Sequence, residues 1–352
     1  MKVFLSAYAC EPDKGSEPGV GWNWAQGMAD RVDLTVLTRE SNRNAIQGAI
    51  ARLRDDAPLR RVRFLYHDLS APWLWAKRRG LLPTFAYYVA WQWSVARKFH
   101  QQADDMDIIH HLTFCTVLCP GFWRPSHAAF VIGPVGAPLV NEHYLPLFGK
   151  RAWIQRWRGK LMEHFLSLPW LDRVFGQAAA VIPANSETAS LLTRNGIPVK
   201  EVMLDTGTPE VPEMQHGGRQ EKPDAFRLIY AGRLERRKGL ELSLRALARV
   251  EAEGNFDWRF DIVGDGPDRE RLAAMTREPG LADKVSFAGS LPREEVMQKF
   301  QTADAFLFTS VRDTSGGVNL EAMACGLPVI CIAHQGVGDI TDEQCAERIP
   351  PA

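Results

Sequence analysis

The chain alternates short apolar runs with longer amphipathic stretches, and it does so in two series. Residues 3–7, 34–38, 62–66, 108–111, 129–132 and 180–184 read as strands. Stretches 22–31, 42–53, 87–101 and 187–194 read as helices between or after them. Such runs are too short for helices and rich in β-branched residues, which marks buried strands. Their alternation with helices calls for parallel sheets with right-handed crossovers. Residues 206–225 break the pattern with Gly207, Pro209, Pro212, Gly217, Gly218 and Pro223. A second series follows, with strands at 228–231, 260–263, 285–287, 305–308 and 329–332. The expectation is an α/β protein of two domains, 1–205 and 226–352, joined by a linker at 206–225. Two such domains form a cleft, and ligands of open α/β sheets sit at the carboxyl ends of the strands.

The length of 352 residues fits two domains, and 45% hydrophobic content supports sizeable cores. Net charge is zero but unevenly placed: residues 1–205 carry 24 Lys/Arg against 18 Asp/Glu, and the remainder carries the reverse excess. A basic half suggests an anionic or membrane-linked partner, and no nucleic-acid partner is expected. The cysteines at 10, 115, 119, 325, 331 and 345 show no paired framework, so a cytoplasmic setting is expected. Cys115, Cys119, His110 and His111 lack a recognisable ligand spacing, and no essential metal is expected. No stretch reaches the roughly 18 apolar residues of a membrane span. The segment Trp153, Arg156, Trp157, Arg158, Lys160, Leu161, His164, Phe165 reads as a Trp/Arg-rich helix. It suits packing on its own domain, or peripheral contact with an anionic membrane.

Motifs follow the strands. After 305–308 comes a run from Thr309 to Ile330 with Asp313, Gly316, Gly317, Val318, Asn319 and Glu321. Its glycines open a helix whose first N–H groups suit an anion, and an acid stands on either side to meet hydroxyls. That combination suits a nucleotide sugar. After 228–231 comes Gly232, Arg233, Arg236, Arg237, Lys238 and Gly239, which sets cations beside a second helix start. A diphosphate there gains point-charge attraction from Lys238 and forked bonds from Arg233, with Arg236 and Arg237 read as solvated. Gly15, Gly19 and Gly21 read as a glycine loop preceding the first helix, through which backbone approaches a ligand. Its spacing is not that of a dinucleotide fingerprint. His110 ends a strand, and Asn185 reads as a helix cap.

The Asp313–Ile330 run, with its Glu321-Ala-Met-Ala-Cys-Gly-Leu-Pro-Val pattern, resembles the donor-site signature of glycosyltransferase family 4. Gly232-Arg-Leu-Glu-Arg-Arg-Lys-Gly239 is similar to that family's diphosphate motif, and the Gly264-Asp-Gly-Pro267 loop is also found there. Asp313 departs from the pattern, which usually has Glu. The resemblance implies two Rossmann-like domains facing across a cleft, the GT-B architecture. It implies further helices at the C-terminus, so the second domain is expected to be incomplete. It implies a retaining transferase that moves a sugar from a UDP-, GDP- or ADP-linked donor to a glycan or lipid-linked acceptor in cell-envelope synthesis. In that scheme Arg233 and Lys238 stabilise the leaving diphosphate, Asp313 holds the sugar, Glu321 the ribose, and His110 faces the donor sugar or orients the acceptor. Gly232, Gly316, Gly317, Val318 and Asn319 contact the donor, Ser290 and Leu291 meet the base, and Gly15, Gly19 and Gly21 line the acceptor and phosphate side. Alternatives are a sugar-nucleotide epimerase of the same architecture and a non-catalytic nucleotide-sugar-binding remnant.

Overall fold

The computed structural model describes residues 1–112, 114, 116–137, 139–207, 225–254, 256–277 and 280–351. Most of the expected linker (208–224) and Cys115 lie outside the described residues. The chain divides into two compact units. The first comprises 1–137 and 161–206, the second 138–160 and 207–352.

The first unit holds a six-stranded parallel sheet of β1 (Lys2–Ser6), β2 (Asp33–Thr38), β3 (Arg63–Tyr66), β4 (Ile108–His111), β5 (Ala129–Val135) and β6 (Ala180–Pro183), in the order β3-β2-β1-β4-β5-β6. The second holds β7 (Phe226–Ala231), β8 (Trp258–Val263), β9 (Val285–Gly289), β10 (Ala305–Phe308), β11 (Val329–Ile332) and β12 (Ala346–Ile349), in the order β9-β8-β7-β10-β11-β12. The two orders are the same. The central strands are buried on both faces, as parallel sheets require: Phe4 and Leu5 of β1 and all of β10 are sealed from solvent. The second core gathers Tyr230, Trp258, Phe260, Phe300, Phe306 and Phe308 around its sheet.

In each sheet the order reverses beside the first strand, between β1 and β4 and between β7 and β10. Loops leaving the two strands diverge there, and the opening at their carboxyl ends is where an α/β sheet receives a ligand. The loops after β7 and β10 carry the two cation and acid motifs.

Four local readings change. The segment 138–160 packs with the second unit through Tyr144 and Phe148, which meet Val311 and Ile332. It carries five basic residues and one acidic, so the imbalance of +6 and −6 between sequence halves shrinks to +2 and −2 between units. Residues Gly15–Gly21 are not one loop: a helix already runs over Ser16–Met28, with Pro18 in its first turn where a missing N–H costs nothing. The short edge strand β12, with pattern Ala-Glu-Arg-Ile, is added beside β11.

Candidate functional site

At the carboxyl end of β7, Gly232 adopts φ +152 and lies against the Tyr230 ring. A Cβ on Gly264, at the exit of β8, would stand 1.9 Å from the Gly232 carbonyl oxygen. Gly264 therefore lets the exit of β8 back onto that of β7. Gly239 is left-handed (φ +65), and its Cβ would fall 1.9 Å from the Thr309 carbonyl oxygen. No other residue tolerates both conditions, so Gly239 fixes the turn Arg236–Lys238 against the exit of β10.

That turn brings Lys238 to Asp313. The ammonium forms an ion pair with Asp313 Oδ2, both side chains being largely buried, and lies 5.3 Å from the Phe308 ring centre. Asp313 is held further by its own N–H, which donates to Gln335 Oε1 at 2.7 Å. Gln335 Nε2 in turn donates to the Leu139 carbonyl at 2.7 Å, so segment 138–160 buttresses the site. Burial pushes the Asp313 carboxyl up. The charge and hydrogen bond of Lys238, the charge of Arg237 and the Gly316 N–H outweigh it and hold the group below its usual range.

Further cations converge here. Glu235 pairs with Arg233 Nε at 2.9 Å and Arg237 Nε at 2.7 Å. Arg237 also donates to the Arg312 carbonyl at 3.3 Å. Arg236 reaches Asp268 at 3.1 Å and the Leu147 carbonyl at 2.9 Å, so neither Arg236 nor Arg237 is merely solvated. Arg233, by contrast, is 69% exposed. Burial pushes the Arg312 guanidinium down to about 10, reinforced by the charges of Arg158 and Arg237. Arg158 keeps an exposed side chain, yet partial desolvation by the surrounding protein and then the charge of Arg237 lower it too. Five cations (Arg158, Arg233, Arg237, Lys238, Arg312) thus share two acids (Glu235, Asp313), an excess that an anion would relieve.

The next helix, Gly317–Ala324, begins beside Asp313 with Gly316 left-handed at φ +62. Asn319 is fully buried and donates from Nδ2 to the Gly316 carbonyl at 2.8 Å. Its Oδ1 and the Ser315 Oγ are buried without a hydrogen-bond partner among the described residues. Both atoms lie at a helix N-terminus, where backbone N–H groups also lack intrahelical partners. Glu321, one turn on, pairs with Arg293 Nε at 3.0 Å and makes no ion pair with Lys238 or Arg233. Ser290 is exposed at the exit of β9, whereas Leu291 packs on the core. Sequence reasoning missed Arg158, Arg293, Arg312 and Gln335. Arg312 lies inside the Thr309–Ile330 run and Arg158 inside the Trp/Arg-rich helix, but neither pattern assigns them to this site; Arg293 and Gln335 lie outside every motif.

The other candidates lie in the first unit. His110 donates from Nε2 to the Gly133 carbonyl at 2.7 Å, where the β5–β6 register shifts, and meets Trp24 edge-on. Burial pushes its imidazole down to about 4, partly opposed by the Gly133 bond, so the ring is neutral near pH 7. His111 is lowered to about 4 by burial as well. Gly19 and Gly21 serve packing: a Cβ would meet the Lys14 carbonyl oxygen at 2.0 Å and the Ala9 carbonyl oxygen at 2.2 Å. Helix Ser16–Met28 can approach that loop only with glycine at both positions. Gly15 faces open space. Beside it, Glu17 accepts from the Phe114 N–H, and burial, then the charge of Asp205, pushes its carboxyl up to about 7. As expected, Asn185 caps its helix, accepting from the Thr188 N–H at 2.8 Å.

The family model described as "Glycosyl transferases group 1" matches residues 213–345, which contain every cation and acid of the second-unit site except Arg158. The 2-deoxystreptamine glucosyltransferase of Streptomyces kanamyceticus is 37% identical over 61% of this chain and 58% of its own length. The putative colanic acid biosynthesis glycosyltransferase WcaL of Salmonella typhimurium is 25% identical over 52% of this chain and 46% of its own. The chain therefore spans about half the length of the curated relatives it matches. Among solved structures, WaaG, a glycosyltransferase involved in lipopolysaccharide biosynthesis, superposes with TM-score 0.61 at 18% identity, covering 99% of this chain and 86% of that one. The fold is that of the GT-B glycosyltransferases. No described helix is long and apolar enough to cross a membrane.

Proposed function

We propose that this chain belongs to glycosyltransferase family 4 and transfers a sugar, with retention, from a nucleotide-diphosphate donor. The observation that carries the reading is the cation excess around the Lys238–Asp313 pair, set beside an open helix N-terminus at the switch point of the second sheet. Lys238, Arg233 and the N–H groups of 316–319 would take up charge as the diphosphate leaves, the type of stabilisation that dominates such reactions. Asp313 would accept from sugar hydroxyls once the diphosphate shares Lys238, and Glu321 would hold the ribose. Gly232 permits close backbone approach, and Ser290 and Leu291 border the base. The neutral His110 would serve the acceptor side through Nδ1, since Nε2 is spent on Gly133. The chemistry assigned to these residues uses no metal ion.

The relatives named for colanic acid, amylovoran and lipopolysaccharide core biosynthesis support a glycan or lipid-linked acceptor at the cytoplasmic side of the cell envelope. Trp153, Trp157 and Leu161 are each more than 60% exposed on one face of the helix Ala152–Leu166, which supports peripheral membrane contact. Thermal shift against UDP-, GDP- and ADP-sugars tests the donor, because a ligand of the folded state raises the melting point. Lys238→Ala should lower turnover more than donor affinity. A loss confined to affinity, or transfer with inverted anomeric configuration seen by NMR, would contradict the mechanism.

A further inference from the structure

The carboxyl ends of β1, β2 and β3 hold a second cationic group that the donor scheme does not use. Tyr8, two residues beyond β1, is buried within an aromatic nest of Tyr87, Tyr88, Trp91 and Phe114. Arg39 follows β2 directly, and its guanidinium carbon stands 4.7 Å from the Tyr8 ring centre. Lys77, from the helix Ala71–Arg78, lies 5.4 Å from the same ring centre and 4.3 Å from that of Tyr87.

Both cations are braced by neutral groups. Arg39 donates from Nε to the Tyr8 carbonyl at 3.2 Å and from Nη2 to Asn42 Oδ1 at 3.3 Å. Asn42 is itself buried and bonded to Thr38 Oγ1 at 2.9 Å. Lys77 Nζ donates to the Tyr8 hydroxyl at 2.9 Å. Neither cation forms an ion pair among the described residues. The nearby carboxylate, Asp68, is committed elsewhere: it accepts from the Tyr87 hydroxyl at 3.1 Å and the Ser41 N–H at 3.3 Å. Burial first, then the charge of Arg39, lowers the Lys77 ammonium, with Asp68 only partly offsetting them. Two half-buried, like-charged groups held close together cost energy unless something compensates them. Of the N–H bonds on Arg39 and Lys77, five have no protein acceptor.

We propose that Arg39 and Lys77, braced on Tyr8, bind an anionic group of the sugar acceptor, a phosphate or a carboxylate carried on a saccharide. The fork of Arg39 meets two oxygens of such a group while Lys77 supplies a point charge. Calling the ligand an acceptor rests on the transferase reading; the anion site itself does not.

Calorimetric titration with glucose 6-phosphate, glucuronate and glucose at fixed ionic strength tests it. At least one charged probe should bind and glucose should not, and the stronger of the two tells phosphate from carboxylate. Arg39→Gln and Lys77→Met should each weaken that binding about ten- to a hundredfold, and Lys77→Arg should restore most of it. UDP affinity should be unchanged in all three variants. Should Arg39→Gln fail to fold, Lys77→Met and the wild-type probe selectivity still decide. Absence of binding by both charged probes, or unaltered binding in the variants, overturns the proposal. A charged probe that binds where no nucleotide sugar does would leave the anion site standing and remove the transferase reading.

Discussion

The two sheets share one strand order, yet their switch points are built from opposite materials. Beside β7 and β10 the groups are ionised: Lys238 against Asp313, with arginines in excess. Beside β1 and β4 they are kept neutral by burial: His110 and His111, with Glu17 raised until it too takes up a proton near pH 7. Topology decides where a ligand can sit, and side chains decide which ligand. A charged, partly satisfied crevice suits a diphosphate. A neutral one suits hydroxyl groups, with its own cations set to one side at Arg39 and Lys77.

The contrast can be broken most severely through the backbone. Gly239→Ala puts a Cβ into the Thr309 carbonyl at a left-handed position, and should cost the second unit about 4 kcal/mol in urea unfolding. The corresponding test of charge is Asp313→Ala, which strands the buried Lys238 ammonium. It should cost about 3 kcal/mol, and Lys238→Met in the same chain should recover part of the loss. Survival of Asp313→Ala with unchanged stability would mean the pair is not the organising contact of the site.

The neutral crevice should show itself through pH. For His110 the folded value is about 4 and the ordinary value 6.5. The unfolded chain therefore binds more protons between those limits, and stability should fall as pH drops from about 6.5 to about 4. His110→Gln should flatten that limb by on the order of 2 kcal/mol. Glu17 runs the other way, with a folded value of about 7 against an ordinary 4.5. Here the folded chain binds more protons, so stability should fall as pH rises from about 4.5 to about 7. Glu17→Gln should remove that slope and gain about 1 kcal/mol at pH 8. Equal melting points for this variant and the parent across pH 5 to 8 would show an ordinary carboxylate.

Much of this was legible because strand and helix alternate with little ambiguity, and because Lys238 and Asp313 sit in motifs that each follow a strand. Gly19 and Gly21 misled because glycine beside proline reads as a loop. Here they are helical, and their missing side chains are spent on contact with residues 9 and 14. Arg158, Arg312 and Gln335 were hidden for another reason: each gains its role only when remote elements pack. Edge strand β12 has one partner and an exposed face, so its sequence lacks the apolar run of a central strand.

The placement of 138–160 has an outcome for anyone recombining these proteins. The chain passes between the units at 137/138, 160/161 and 206/207, so no single cut separates them. A fragment beginning at 207 would lose Tyr144 and Phe148 from over Val311 and Ile332, along with the carbonyl that steadies Gln335. Chimeras exchanging the second unit between relatives would therefore have to graft two stretches together, the long terminal one and the short insert upstream.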